Sequence, residues 1–597
     1  MPEQHSLRPR FVFLSIMLLF LGVISRLFYW QVIEGSSLKK VVENQATKET
    51  TSVGRRGNIY TADGQLLVGN TDLFHLMADK TLLTLSTEKI IDALAPLLVE
   101  RDLNEEASDG GELVEREQRV KTLLLANTAY LHERFNLNST WVRLSSRINR
   151  ELRQKIETLQ IPGIYFEEYQ TRFYPEASMA AHLTGFVGKN ETGEDTGYFG
   201  IEGALNKELQ PQMRKNRFLT DALGNLLGGE NTIETRSLDG RDIVLTIRRD
   251  VQFLIEQELK RGLERYGAVS GEVIVMEVKT GNILGLAAWP NYDQAKYYDF
   301  ASELYKNPSL THLYEPGSTF KVLTVSAGID TDAITPDTQC PVCAGPRQIG
   351  QYTVRTWNDE YTPDITVRDA LAQSNNVAMI YVAETMGTDT FVEYLHRFGI
   401  GEALHLDLQE DTDTPFPAKW GPIELATSSF GQGISTTSLQ MVRAVNAIAN
   451  HGVMVQPKIL KKVIDHQVEK EMSIPDRAER RVVSAETAQT VTEMMVNAAK
   501  HGEAQWIFKD THTIAGKTGT SQIPIAGGYK PDATLASFIG FAPASEPQFI
   551  MLVKLTEPQS SPWAAETAAP LWYRLAEKLY LLLNIPPDST TPNLTLE

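Results

Sequence analysis

The run Glu315-Pro316-Gly317-Ser318-Thr319-Phe320-Lys321 decides the reading of this 597-residue chain. Pro316 and Gly317 favour a turn, and Phe320, Val322, Leu323 and Val325 predict a buried helix that starts at about Ser318. Residues three apart share a helix face, so Lys321 is expected one turn along, beside the Ser318 hydroxyl. A serine hydroxyl is a weak nucleophile and needs a base within hydrogen-bond reach. Lysine serves only while it is neutral, which burial and a second nearby cation achieve by lowering its pKa. The dipole at the helix N-terminus further favours negative charge on Ser318. By itself, Ser-x-x-Lys also suits an ordinary solvated helix.

Two other segments narrow the reading. Leu371-Ala372-Gln373-Ser374-Asn375-Asn376-Val377-Ala378 sets a Ser-x-Asn triplet between apolar residues, as a tight turn closing onto a buried helix would. Ser374 is a candidate proton relay and Asn376 a candidate to orient a lysine or a substrate amide, although both residue types also serve as plain turn and cap residues. Ala515-Gly516-Lys517-Thr518-Gly519-Thr520-Ser521 reads as a sheet-edge strand. Its glycines permit close backbone approach, so that a peptide can add as a further strand. Lys517 then supplies the second cation, and the Thr518 and Thr520 hydroxyls bind a substrate carboxylate.

The triple set of Ser-x-x-Lys, Ser-x-Asn and Lys-Thr-Gly resembles that of the penicillin-binding proteins and β-lactamases. Order and spacing agree, with 56 residues from Ser318 to Ser374 and 141 from Asn376 to Lys517. Asn375 in the middle of the triplet looks like the transpeptidase form rather than that of class A β-lactamases. The likeness to class B penicillin-binding proteins extends nearly end to end. Arg56-Gly57-Asn58-Ile59-Tyr60 with Gly64 is similar to the first box of that family's amino-terminal pedestal. Arg172-x-Tyr174-Pro175 with His182-x-x-Gly185 resembles the second box, and Gly200-Ile201-Glu202 the third. The family uses these residues structurally, to stabilise the pedestal and its joint with the catalytic domain. Thr61 stands where the first box would carry an aspartate. Ser429 through Ser435 resembles the stretch lining the family's cleft, and Ala536 through Pro543 the strand beside Lys-Thr-Gly.

The resemblance implies a serine-type D-Ala-D-Ala transpeptidase that cross-links peptidoglycan. Ser318 would attack the penultimate D-alanine of a stem peptide, Lys321 would take its proton, and Ser374 would pass one to the leaving D-alanine. The backbone N–H groups of Ser318 and Thr520 would form the oxyanion hole. Thr518, Gly519 and Thr520 would bind substrate, β-lactams would trap Ser318, and no cofactor or metal is implied. A D,D-carboxypeptidase, β-lactamase or β-lactam sensor on the same fold is the first rival, and an inactive wall-synthesis scaffold the second. No glycosyltransferase-like segment is recognisable before residue 240, so glycan polymerisation is expected from a multi-span partner.

Outward from the motifs, the pattern after residue 240 reads as a buried strand over 243–247, an amphipathic helix over 250–266 and strands over 272–278 and 283–288. Helical stretches follow near 318–330, 367–386 and 436–451, then strands over 536–542 and 549–556 and a helix near 565–583. Paired strands, an all-helical middle and returning strands predict an α+β fold, an antiparallel sheet flanked by helices. Before residue 240 the pattern is fragmented, with a turn into a strand at 54–60, a hairpin at Asp63-Gly64, a polar acidic stretch over 100–117 and helical periodicity over 142–170.

At the amino terminus, 11–25 carries no charge, and after Arg26 the apolar run resumes to Ile33. That length suits a bilayer-spanning helix better than a cleaved signal peptide. Arg8 and Arg10 place the preceding tail in the cytoplasm, and Tyr29 and Trp30 fall at the interfacial belt. The expected division is a cytoplasmic tail (1–10), a transmembrane anchor (11–33), a pedestal of the dimerisation type (34–238), a transpeptidase domain (239–583) and a C-terminal tail (584–597). The chain would thus be a single-pass protein of the cytoplasmic (inner) membrane with its catalytic domain outside.

A net charge of -18 and a pI near 5.2 argue against nucleic-acid binding. Cys340 and Cys343, the two cysteines, would form a small loop-closing disulfide outside the membrane or remain thiols, since zinc would need more ligands. His312, near the nucleophile, reads as a surface or packing residue because Lys321 fills the base role.

Overall fold

Val273, Ile274, Val275 and Met276 are all fully buried, so the strand Ser270–Glu277 is covered on both faces. In this computed structural model, which describes residues 7–39, 47–106, 113–219, 237–475, 479–509 and 511–588, that strand lies inside a five-stranded antiparallel sheet. The order across it is Ile283–Trp289, Ser270–Glu277, Phe549–Thr556, Gly528–Ala542 and Ala515–Ile525. The helices Arg249–Tyr266 and Ala568–Leu582 cover one face, where the buried Trp572 donates its indole N–H to the Met551 carbonyl at 2.8 Å. Against the other face lies the apolar core of the helices Lys321–Asp330, Asn376–Met386 and Ser438–Ala449. This is the α+β arrangement of sheet and all-helical subdomain anticipated above.

The helical stretches carry two breaks that matter for the site. The first turn of the helix carrying Ser318, Gly317–Phe320, is 3-10, and the α-helix runs from Lys321 to Asp330. The stretch 367–386 is two helices, Val367–Ala372 and Asn376–Met386, interrupted at Ser374 with φ +59°.

Residues 142–170 are not helical throughout. They form the strand Trp141–Ile148, the short helix Arg150–Glu157 and the strand Ile164–Phe173. Val142 and Leu144 are buried between exposed Trp141 and Arg143, a period of two that the charged residues obscured. Ile164–Phe173 pairs along Leu66–Asp79 from Ala78↔Ile164 to Gly69↔Phe173. Tertiary pairing overrode the local helical signal.

Strands distant in sequence share one mixed sheet. Asp242–Leu245 runs parallel to Ile59–Tyr60 and antiparallel to Leu460–Asp465. Gly64, at φ +80°, makes the expected hairpin turn, and the buried Thr61 accepts the Gln65 N–H on its hydroxyl at 3.1 Å, a turn role in place of a salt bridge. Arg172 and Glu202 of the second and third boxes form an ion pair at 2.6 Å with side chains 5% and 0% exposed. Gly185 and Gly200 have positive φ and lie back to back. A Cβ on Gly200 would meet the Leu183 carbonyl oxygen at 2.4 Å and the Gly185 nitrogen at 2.7 Å.

By its internal contacts the chain divides into two compact units. One comprises the described parts of Met1–Arg56, Gln210–Gly240 and His466–Glu469; the other comprises Gly57–Leu209, Arg241–Asp465 and the described part of Lys470–Glu597. In the first, the helix Leu7–Phe28 continues into a π-helical turn, Tyr29–Ile33, and the strands Thr47–Val53 and Met213–Leu219 pair antiparallel. Arg10–Ile33, 24 residues, is long and apolar enough to cross a membrane and is exposed along its length. The Arg26 guanidinium lies 5.1 Å from the Trp30 ring centroid. In the second unit, Cys340 and Cys343 are buried and joined as a disulfide. The expected tails are described only from residue 7 and only to 588, and residues 107–112 of the acidic stretch lie outside the described residues.

Candidate active site

The turn carrying Ser318 is clamped from several directions. Gly317, at φ +55°, donates its N–H to the Gly431 carbonyl at 3.0 Å, Thr319 closes the turn onto the Pro316 carbonyl at 2.8 Å, and the Ser521 hydroxyl donates to the Glu315 carbonyl at 2.8 Å. Phe320 is fully buried beneath. The Glu315 carboxylate accepts the Gly433 N–H at 2.9 Å and the Tyr529 hydroxyl at 3.1 Å, and burial pushes its carboxyl up. A side chain on a turn fixed in this way has little freedom left to lose.

Lys321 is fully buried, with its Nζ against the Ser374 turn, where it donates to the Ser374 carbonyl and, at 3.1 Å, to the Ser374 hydroxyl. Among the described residues no hydrogen bond joins it to the Ser318 hydroxyl. This differs from the direct contact expected, because the Lys321 Nζ is directed at the Ser374 carbonyl and hydroxyl. Lys517, also buried, donates to the same Ser374 hydroxyl at 3.1 Å and to the Thr518 hydroxyl at 3.1 Å. Burial above all, and then the Lys517 charge, holds Lys321 well below the ordinary lysine range, while Glu503 opposes the shift. Lys517 is lowered by burial, again opposed by Glu503. The second cation anticipated from Lys-Thr-Gly is in place.

Ser374 occupies the left-handed region at φ +59°, a conformation a serine adopts only when its surroundings impose it. The conformation turns both its carbonyl and its hydroxyl toward Lys321. Asn375 caps the next helix, its side chain accepting the Ala378 N–H at 3.0 Å. The middle position of the triplet thus has a structural role. Asn376 lines the cleft, and its Nδ2 donates to the Arg355 carbonyl at 3.0 Å, which ties the helix start to the preceding loop; among the described residues no hydrogen bond joins it to either lysine.

Ala515–Ile525 is the edge strand of the sheet, with Lys517 opposite Ile539, Thr518 opposite Phe538 and Thr520 opposite Ala536. The space its glycines leave is filled from within the protein. A Cβ on Gly516 would meet the Phe538 ring at 2.5 Å, and one on Gly519 would meet Thr319 Cγ2 and Ser537 Oγ, each at 2.8 Å. Gly519 therefore brings the strand against the Ser318 turn. The Thr520 hydroxyl accepts the Ala564 N–H at 3.1 Å, whereas the Thr518 hydroxyl donates to Glu503 at 2.7 Å.

Ser318, Ser374, Asn376 and Thr520 open onto one cleft, also lined by Phe430, Gln432, Trp357, Glu503 and Trp563. Phe430 and Gln432 belong to the stretch the sequence placed there, and His312 is exposed outside this lining. Trp357 and Trp563 meet edge to face at 5.1 Å. These two tryptophans and Glu503 escaped sequence reasoning. Glu503 lies 14 residues before Lys517, just past the helix Ala485–His501, and no local pattern marks it as facing the site.

Comparison with known proteins agrees with this geometry. The penicillin binding protein transpeptidase domain matches residues 271–577, and the penicillin-binding protein dimerisation domain matches residues 51–245. Stage V sporulation protein D of Bacillus subtilis is 30% identical over 430 residues, covering 71% of this chain and 66% of the relative. The probable peptidoglycan D,D-transpeptidase PenA of Neisseria meningitidis serogroup A is 26% identical over 562 residues, covering 93% and 89%. Penicillin binding protein 3 of Mycobacterium tuberculosis, solved in complex with aztreonam, superposes with a TM-score of 0.66 at 22% identity, covering 90% of this chain and 98% of that one. With its three motifs gathered at one cleft and both domains matched in order, the chain belongs to the class B penicillin-binding proteins.

Proposed function

We propose that this protein is a peptidoglycan D,D-transpeptidase that works through a serine acyl-enzyme at Ser318 and is trapped there by β-lactams. The observation that carries the reading is the Ser374 hydroxyl, shared at 3.1 Å by two buried lysines beside the cleft that holds Ser318. Lysines kept below their ordinary pKa beside a hydroxyl nucleophile are suited to take up and return protons.

Lys321, neutral, takes the Ser318 proton as the serine oxygen bonds to the carbonyl carbon of the penultimate D-alanine of a stem peptide. The N–H groups of Ser318 and Thr520 hold the oxyanion. Ser374 passes a proton to the departing nitrogen as the C–N bond breaks, releasing D-alanine and leaving an ester on Ser318. The amine of a second stem peptide then attacks that ester, the cross-link forms, and the serine oxygen recovers its proton. Lys517 keeps Lys321 deprotonated, Asn376 orients a substrate amide, and Thr518, Gly519 and Thr520 receive the substrate as an added strand.

The proposed division remains a tail (1–10), an anchor (11–33), a pedestal (34–238), the catalytic domain (239–583) and a second tail (584–597). The apolar helix supports single-pass anchoring, with the amino terminus in the cytoplasm, the catalytic domain outside and a multi-span glycosyltransferase as partner. Incubation with fluorescent penicillin tests the chemistry. The protein is expected to label covalently and to turn the drug over slowly, and Ser318→Ala to lose labelling while melting normally. Rapid hydrolysis of the drug would favour a hydrolase on the same fold, and labelling of the variant would refute the nucleophile.

A further inference from the structure

Of the two hydroxyls expected to receive a substrate carboxylate, one is already engaged by the protein as a donor. Lys517 Nζ directs hydrogen bonds to the Ser374 hydroxyl at 3.1 Å, the Thr518 carbonyl at 3.2 Å and the Thr518 hydroxyl at 3.1 Å, which accounts for all three of an ammonium's N–H groups. Thr518 has a single hydroxyl proton, and it is given to Glu503 Oε2 at 2.7 Å. Of the two threonines, only Thr520, whose oxygen accepts the Ala564 N–H, has a hydroxyl proton not directed at a protein acceptor among the described residues.

Glu503 itself is half-buried and lines the cleft with Ser318 and Thr520. Its backbone is closely packed, since a Cβ on the preceding Gly502 would lie 2.8 Å from the carbonyl oxygen of Ala372, two residues before Ser374. The side chain is the part that can swing aside. Among the described residues Thr518 is its one hydrogen-bond partner, and the charges of Lys321 and Lys517 attract it as well.

We propose that Glu503 is a specificity-determining residue that occupies the carboxylate subsite from within, standing in on Thr518 for the terminal carboxylate of the donor peptide. The proposal rests on the reading of this cleft as the transpeptidase site. An arriving carboxylate must take the Thr518 proton from Glu503 and drive the resident carboxylate away from the lysine pair, because two anions cannot share one hydroxyl proton and repel at that distance. Glu503 therefore raises the threshold for any ligand that enters by its carboxylate. A ligand lacking one does not compete with it.

The test is the second-order acylation rate of the full-length protein with two probes, benzylpenicillin and its methyl ester, which share a reactive ring and differ in the carboxylate. Glu503→Ala is expected to raise the benzylpenicillin rate about tenfold, the scale of one charge-assisted hydrogen bond released, and to leave the ester rate within about twofold. Glu503→Gln, which keeps an acceptor but not the charge, is expected to fall between. Equal change with both probes, no change with either, or slowing of both would overturn the proposal and make Glu503 a support for Thr518 or a bystander. Ser318→Ala in the same background separates the two levels of inference. If it still acylates, the site assignment falls and the proposal with it, whereas loss of acylation leaves the probe comparison to decide on Glu503 alone.

Discussion

Replacing Gly519 by alanine should slow acylation about a hundredfold, and the structure shows why. An added Cβ would lie 2.8 Å from Ser537 Oγ, 2.8 Å from Thr319 Cγ2 and 3.1 Å from the Pro316 carbonyl oxygen. Ordinary carbon contacts are about 3.5–4.0 Å, so at least one neighbour must retreat by roughly 0.7 Å or more. Ser537 belongs to the strand Gly528–Ala542, which is paired on both sides inside the sheet, so it yields less readily than the turn. The displacement then falls on Pro316–Thr319, which carries Ser318. A misplacement on the order of 1 Å at a reacting group costs about 10²-fold in rate, and overpacking a tight site costs about 1–3 kcal/mol of stability. The assay is the second-order rate of labelling by fluorescent penicillin, with thermal unfolding followed in parallel. Gly516→Ala is the control, because its Cβ would strike the Phe538 ring and not the Ser318 turn. It is expected to lower the melting temperature and leave the rate within a few-fold. Labelling of Gly519→Ala within about twofold of the unmodified protein would refute the claim that this glycine sets the position of Ser318.

Two further predictions concern charge. Lys517→Gln removes the like charge that helps hold Lys321 down, so the Lys321 pKa rises and less of it is neutral at a given pH. The acid limb of the acylation pH profile should therefore move to higher pH, with a loss of about 10²-fold at neutral pH; an unshifted limb in rate measurements across pH would contradict the coupling. Arg172→Met withdraws the guanidinium from a carboxylate with no exposure, which typically costs about 3–5 kcal/mol. Denaturant unfolding should register that loss, and stability unchanged to within 1 kcal/mol would count against a structural role for the boxed pair.

The extent to which the sequence was legible follows the range of the interactions involved. The apolar span, the edge strand and the Ser318 turn rest on local patterning, and each was readable within a few residues of the expected bounds, whereas the neighbouring strand starts at Gly528, eight residues before the expected Ala536. The helical reading of 142–170 failed because charges at exposed positions masked a period-two pattern whose partner strand, Leu66–Asp79, lies far back in the chain. The Ser374 triplet announced a turn, but not that the serine would sit at positive φ with its carbonyl and hydroxyl both facing Lys321.

From its residues alone, the chain specified the three motif segments and their order, because motif spacing and hydrophobic period are properties of neighbours along the backbone. Which oxygen each lysine reaches, and which threonine proton is already given to Glu503, were decided only when elements from 317 to 321, 372 to 376, 503 and 517 to 520 packed at one sheet edge. Hydrogen bonds and charges act through space at a few ångströms, and no spacing along the chain encodes that proximity.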